Sequence, residues 1–80
     1  MNEVLSNFDA LRQVVIHDTN IKSVAYNELE NTMIVIFGGG SKWKYFKVPS
    51  EVFEKIADTC NGNVVLEEIR HNNLVGIRVR

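Results

Sequence analysis

The alternation of apolar and polar residues in the middle of the chain predicts three β-strands. Residues 21–26 place Val24 and Tyr26 on one face of a strand. Residues 32–37, TMIVIF, are apolar almost throughout, which is typical of a central strand. Residues 42–48 alternate again and form the third strand. Short polar or glycine-rich connections separate the three, so the pattern indicates an antiparallel meander.

A proline after the third strand predicts a helix. Pro49 cannot donate to a strand ladder, and its fixed φ suits the start of a helix. Ser50 is a suitable N-cap for a helix over about 51–60. Asn61-Gly62 is a typical helix stop. The apolar stripe of this helix consists of Val52, Phe53, Ile56 and Ala57.

The two ends of the chain predict further elements. A stripe of apolar residues before the β-branched run at 14–16 indicates an N-terminal amphipathic helix. Residues 63–70 are compatible with either a helix or a strand. Residues 74–80, LVGIRVR, predict a last strand with one solvent-exposed, basic face. The N-terminal stripe consists of Val4, Leu5, Phe8 and Leu11.

These elements together predict an α+β fold in a single domain over 1–80. It is a small antiparallel β-meander with one packed amphipathic helix, an N-terminal helix and a C-terminal closing strand. The length of 80 residues and an apolar fraction of 45% fit one globular domain. So small a core leaves a thin margin of stability, which favours a homo-oligomer.

Composition also restricts the setting of the protein. Cys60 is the single cysteine, so an intrachain disulfide is impossible and a reducing compartment is expected. The N-terminal residues lack the basic region of a secretion signal, and no apolar run approaches the ~18 residues of a membrane span. We therefore expect a cytoplasmic protein with no membrane partner.

Charge is unevenly distributed along the chain, although the net charge is only −1. Residues 42–50 carry three lysines and no acid, and residues 69–80 carry three arginines and no acid. The intervening segment and the N-terminal half are acidic. Two short basic tracts suit a compact anion better than a long duplex, whose binding needs many phosphate contacts.

The octet SKWKYFKV, residues 41–48, has two interpretations. Period 2 places Trp43, Tyr45 and Lys47 on one face and the remaining residues on the other. As a binding strand, its aromatics would stack a base while its lysines hold phosphate. As an ordinary strand, Phe46 and Val48 would point to the core, and the Trp43 face would cover a dimer contact or the N-terminal helix. The candidate ligand-binding residues are Lys42, Trp43, Lys44, Tyr45, Lys47, Arg70, Arg78 and Arg80.

The order of these elements resembles the KTSC domain, over about residues 20–70. That family is named for its occurrence at the C-terminus of some lysyl-tRNA synthetases, and it also occurs in small stand-alone bacterial and phage proteins. The resemblance implies the meander-and-helix fold, and the synthetase context suggests RNA binding. The matching elements are Ile21–Tyr26, Met33–Phe37, Gly40, Trp43-Lys44-Tyr45, Val48-Pro49, Glu51–Ala57, Gly62 and Ile69-Arg70.

Catalysis is not indicated, because no spacing assembles a nucleophile, a base and an orienting group. His17 and His71 are too far apart for a metal motif, and we expect no cofactor and no metal. The first hypothesis is a non-catalytic binding module for RNA or a small nucleotide-type anion, acting by sequestering its ligand. The alternative is a protein-interaction or assembly module. The two hypotheses differ in their salt dependence. Three lysine contacts to single-stranded nucleic acid predict a slope of about −2 when the logarithm of the binding constant is plotted against the logarithm of the salt concentration.

Overall fold

A five-stranded antiparallel sheet forms one layer of the protein, and two helices form the other. The computed structural model describes residues 11–16 and 18–80. The helices are α1 (Ser50–Thr59) and α2 (Gly62–His71). The α+β class and the central meander are therefore confirmed. The strands, adjacent in chain order, are β1 (Leu11–Val15), β2 (Ile21–Asn27), β3 (Thr32–Phe37), β4 (Lys42–Phe46) and β5 (Val75–Arg78).

The strand register decides which side chains share a face of the sheet. Opposed residues in neighbouring strands point the same way, so each row of partners belongs to one face. The helix-side face contains two such rows: Val14, Val24, Val35, Trp43 and Arg78, and then Arg12, Tyr26, Met33, Tyr45 and Gly76. The other face, called the open face below, carries Leu11, Gln13, Val15, Ser23, Ala25, Asn27, Thr32, Ile34, Ile36, Lys42, Lys44, Phe46, Val75 and Ile77.

Helix α1 packs on the helix-side face through the predicted apolar stripe. The Phe53 ring stacks on the Tyr26 ring at a centroid distance of 5.3 Å. The Tyr26 hydroxyl donates a hydrogen bond to the Val48 carbonyl at 2.7 Å. Burial, followed by nearby carboxylates, raises the pKa of Tyr26, so the hydroxyl remains a donor. Val52 and Ile56 are also buried, which confirms the side of the helix that faces the core.

The Arg12 side chain connects strand β1 to the turn between β2 and β3 and to helix α1. Its Nη1 lies 2.7 Å from a Glu54 carboxylate oxygen and 3.2 Å from one of Glu28. Its guanidinium also lies over the Phe53 ring, 5.1 Å from the centroid. The edge strand is thus attached to the helix layer by a side chain that the hydrophobic pattern did not single out.

The third strand is shorter than the predicted 42–48, and the helix begins differently. Lys47 has a φ of 55°, which ends the strand, and the Val48 amide then donates to the Asn31 carbonyl at 2.8 Å. The turn sends the Val48 side chain into the core. Ser50 is not the N-cap: extended Pro49 occupies that position without a side-chain hydrogen bond, and Ser50 is the first helical residue.

The first helix ends just before the stop predicted at Asn61-Gly62, and a second helix, α2, begins there at once. Cys60 ends α1 in the left-handed conformation, with a φ of 49°. The Asn61 side-chain oxygen then accepts a hydrogen bond from the Asn63 amide at 2.8 Å and caps α2. Gly62 is the first residue of α2. The ambiguous segment 63–70 is therefore helical.

The chain ends need two corrections. Val4, Leu5 and Phe8, which suggested an N-terminal helix, lie outside the described residues, whereas Leu11 belongs to strand β1. The closing strand is confirmed over residues 75–78, but its apolar side is not buried. Val75 is 70% exposed because it lies on the open face, where no described helix covers it.

Replacing Cys60 with glycine should stabilise the protein. Glycine removes the cost of the left-handed backbone, roughly 1–2 kcal/mol. It also increases the entropy of the unfolded chain, which destabilises the fold by about 0.4–1 kcal/mol. We therefore expect the free energy of unfolding to rise by about 0.5–1 kcal/mol. Thermal and urea unfolding measure the gain. Cys60→Ala is the control, because it removes the thiol and keeps the Cβ. Equal melting temperatures for the two variants would show that the left-handed cap carries no strain.

Candidate binding face of the sheet

Strand β4 divides the octet between two environments. Lys42, Lys44 and Phe46 lie on the open face, while Trp43 and Tyr45 lie on the helix-side face. The alternation predicted from the sequence is thus present up to residue 46. The ordinary-strand interpretation put Phe46 and Val48 in the core; Val48 is buried there, whereas Phe46 is exposed and Tyr45 is buried in its stead.

Tyr45 and Trp43 hold the last strand to the helix layer. Tyr45 is only 8% exposed, and its ring lies so close to Gly76 that a Cβ there would stand 2.5 Å from ring carbons. The Trp43 ring stacks on Tyr45 at a centroid distance of 6.4 Å and packs half-buried against the core. Burial raises the pKa of Tyr45. A buried tyrosine offers no free ring face for a base.

The open-face residues of β4 form a compact basic and aromatic group. The Lys44 ammonium lies 5.7 Å from the centroid of the Phe46 ring and 3.8 Å from a Glu30 carboxylate oxygen. Lys42 is two residues earlier on the same face and half-buried. Phe46 is 37% exposed. Side chains two residues apart on a strand are separated by roughly 7 Å, so both ammonium groups can contact one short phosphate chain.

The other candidate residues do not join this group. Arg78 lies on the helix-side face, in register with Trp43, and its Nε donates to the Arg80 carbonyl at 3.0 Å. Arg80 follows the end of β5. Arg70 is exposed on α2, in a shallow depression shared with Glu67, Glu68, His71 and Lys55. Arg70 and Arg78 thus lie apart from the open-face lysines, whereas the Arg80 backbone lies next to Lys42, whose amide donates to the Arg80 carbonyl at 3.3 Å.

A pocket beside Phe46 was not identified from the sequence. It lies between the end of β4 and the start of β5, and Lys47 follows Phe46 into its wall. Asn72 and Asn73 supply amide groups that can donate and accept hydrogen bonds. The only sequence signal was the HNN tripeptide, which predicts a turn but not its position beside β4. The lining residues are Phe46, Lys47, Asn72, Asn73, Leu74 and Val75.

Charge separates by layer. The five strands contain no acidic residue and five bases, namely Arg12, Lys22, Lys42, Lys44 and Arg78. The two helices contain more acids than bases, namely Glu51, Glu54, Asp58, Glu67 and Glu68 against Lys55 and Arg70. Among the described residues, the acids lie in turns and in the helix layer, so the open face presents positive charge, an arrangement that attracts anions.

Other kinds of site receive no support within residues 11–16 and 18–80. No cluster of three or more metal-ligating side chains occurs in these ranges. Cys60 is a free, exposed cysteine at the end of α1. Over the same part of the chain, neither helix is long and apolar enough to span a membrane.

Comparison with known proteins identifies the central part of the chain. A family model of the KTSC domain matches residues 17–61, which is more than half of the sequence. The match covers β2, β3, β4 and α1 and ends just before α2. It confirms the family resemblance drawn from the ordered strand, glycine and Val-Pro elements. A search of curated proteins finds no match.

Gly76→Ala should destabilise the protein because the new methyl group meets the Tyr45 ring. Overpacking of this kind costs about 1–3 kcal/mol. Gly39→Ala is the matched control, since a Cβ at Gly39 meets nothing within 4 Å. Urea unfolding of both variants measures the difference. Equal stability of the two would mean that the Tyr45 ring does not rest on Gly76.

Trp43→Ala and Phe46→Ala should have opposite effects. Loss of the half-buried Trp43 should lower the free energy of unfolding by about 2–4 kcal/mol, somewhat below the range for a fully buried aromatic. Loss of the exposed Phe46 should change it by less than about 1 kcal/mol. Chemical unfolding followed by circular dichroism compares them. A larger cost for Phe46→Ala would contradict the assignment of faces.

Proposed function

The chain belongs to the KTSC domain family, and on that premise we propose that it is a non-catalytic binding module for RNA or a small nucleotide-type anion. The observation that supports the proposal best is that Lys42, Lys44 and Phe46 follow one another on the same side of strand β4, on the face that no described helix covers. A single strand or nucleotide presents phosphate and a base at a spacing that such a strand can contact.

The binding mode follows from the positions of these groups. Lys42 and Lys44 neutralise neighbouring phosphates. Phe46 offers its ring to one base, beside the pocket that Lys47 and Asn72 help to line. Trp43 and Tyr45 support the strand from the helix side instead of stacking the ligand. This differs from the predicted contact surface, in which both aromatics touch the base.

Sequestration is the simplest activity for such a module. A small domain with a basic, aromatic surface lowers the free concentration of its ligand simply by binding it. The ordered core beneath β4 keeps the two lysines and Phe46 in place before binding, which reduces the entropy lost on association.

An assembly module is the second candidate, supported by the apolar part of the same face. Leu11, Val15, Val75 and Ile77 are all large, apolar and more than half exposed. The four residues lie on the two edge strands of the sheet, Leu11 and Val15 on β1 and Val75 and Ile77 on β5, and large exposed apolar side chains at a sheet edge can mark protein–protein contacts. In this case the protein is a homo-oligomer or binds another protein, and association depends only weakly on salt.

Binding to a fluorescein-labelled oligouridylate, measured against salt concentration, tests the first candidate. Two phosphate contacts predict a slope of about −1.4 for the logarithm of the binding constant against the logarithm of the salt concentration. Lys42→Ala or Lys44→Ala should each reduce the magnitude of this slope by about 0.7. Phe46→Ala should weaken affinity about 5–150-fold, the range for losing one stacked base.

Lys55→Ala is the control for these measurements. Lys55 is exposed on α1 and pairs with Glu68 at 3.4 Å, so its loss should alter neither the fold nor the slope. An equal change in slope for Lys55→Ala would contradict binding on the open face. Salt-independent self-association without RNA binding, seen by light scattering, would favour the assembly module.

A further inference from the structure

The pocket beside Phe46 combines apolar side chains with side-chain amides. Phe46, Leu74 and Val75 supply its apolar part, and Val75 is the register partner of Phe46 on β5. Asn72 and Asn73, which connect α2 to β5, supply the amides. The cavity has a volume of about 390 Å³, which lies within the range of roughly 300–1,000 Å³ for small-molecule sites. It is therefore large enough for one flat heterocycle.

Glu68 fixes the orientation of the Asn72 amide. The Asn72 Nδ2 donates to the Glu68 carbonyl at 2.8 Å and to a Glu68 carboxylate oxygen at 3.1 Å. Carbonyl and carboxylate oxygens only accept hydrogen bonds, so the NH₂ end of the amide must face them. Both N–H groups are then in use, which leaves Oδ1 as the end that can accept from a ligand. Asn72 thus presents a single acceptor of fixed orientation.

The turn that follows α2 holds Asn73 in place. Asn73 has a φ of 52°, a left-handed conformation that asparagine tolerates. Its backbone amide donates to the Arg70 carbonyl at 3.2 Å, and the Leu74 amide donates to the Ile69 carbonyl at 3.0 Å. The Asn73 side chain carries both a donor and an acceptor. It therefore complements a ligand edge on which a donor and an acceptor lie side by side.

We propose that this pocket binds the base of the ligand and selects a base in which an exocyclic amine adjoins a ring nitrogen, as in adenine and cytosine. The amine has two hydrogens, which match the two amide oxygens of Asn72 and Asn73. The ring nitrogen accepts from the Asn73 Nδ2, the bidentate pairing that asparagine makes with adenine in DNA recognition. In hypoxanthine and uracil a carbonyl oxygen replaces the amine, and it would face the Asn72 oxygen with no hydrogen between them.

The inference rests on the proposed function, because it requires phosphate on Lys42 and Lys44 and a base beside Phe46. The Phe46 ring lines the pocket and is 37% exposed, so a base held by the two asparagines can stack on it. The lysines and Phe46 contact groups that all nucleotides share. The asparagines contact only the edge that distinguishes the bases, so affinity and selectivity should depend on different residues.

Two pairs of short, fluorescein-labelled homopolymers test the inference on the full chain. Oligoadenylate is compared with oligoinosinate, and oligocytidylate with oligouridylate. Within each pair the base keeps its size, and a carbonyl replaces the amine. Fluorescence anisotropy measures the four dissociation constants. We expect the amine-bearing member of each pair to bind about 5–150-fold more tightly, the effect of one good bidentate pair.

Asn73→Gly should remove most of this preference in both pairs, while the salt dependence stays as in the unchanged protein. Glycine adopts a positive φ at no steric cost, so the turn is kept. Asn20→Gly is the control, because Asn20 is exposed between β1 and β2, at the strand ends opposite to the pocket. Circular dichroism verifies the fold of both variants.

Three results would overturn the inference. Equal affinity within both pairs, with the salt dependence intact, would overturn it and leave the proposed function standing. An equal loss of preference in Asn20→Gly and Asn73→Gly would do the same. Absence of binding to all four oligonucleotides would overturn the proposed function together with this inference.

Discussion

The two helices described in residues 11–16 and 18–80, of ten residues each, can cover one face of the five-stranded sheet but not both. This restriction determines most of what the protein can do. The covered face holds the core, in which Tyr26 stacks on Phe53 and Val24 and Val35 are fully buried. On the other face, no described helix covers the side chains, and Leu11, Val15, Val75 and Ile77 are more than half exposed. Function in so small a domain is therefore expected on the sheet rather than between its layers.

Strand β4 serves both faces at once because its side chains alternate. Tyr45 can approach the neighbouring strand closely only because residue 76 has no side chain. That contact fixes β5 against β4 and leaves Lys44 and Phe46 on the opposite side. The same backbone that holds the core together thus orients the basic and aromatic group, so stability and binding should respond to different residues of one short strand.

The local parts of the fold were predictable from the sequence, and the non-local parts were not. Strand 32–37 and the buried stripe of α1 follow from apolar patterning, which acts over a few residues. The split of the octet into two sets also follows from period 2. Which set faces the core depends on Gly76, more than thirty residues away along the chain, and no local pattern carries that information.

The same distinction explains the errors at the junctions. Cys60 adopts a left-handed conformation that sequence statistics assign to glycine, because α2 must start immediately afterwards. Asn61 was interpreted as part of a stop, although its side chain caps the next helix. The candidate arginines were selected for their charge, with Arg78 and Arg80 expected on one strand face, whereas α2 carries Arg70 to a separate place. The shared face of Lys42 and Lys44 was predictable because both residues belong to one strand.

The division of the octet by the sheet is the central claim, and proton NMR of the aromatic rings tests it most directly. The account predicts nuclear Overhauser effects from the Tyr45 ring to the Gly76 α-protons, which ring current should shift upfield. It also predicts contacts from the Phe46 ring to the Val75 methyl groups and none to α1. A Phe46 ring in contact with α1, with the Gly76 α-protons at ordinary shifts, would contradict it.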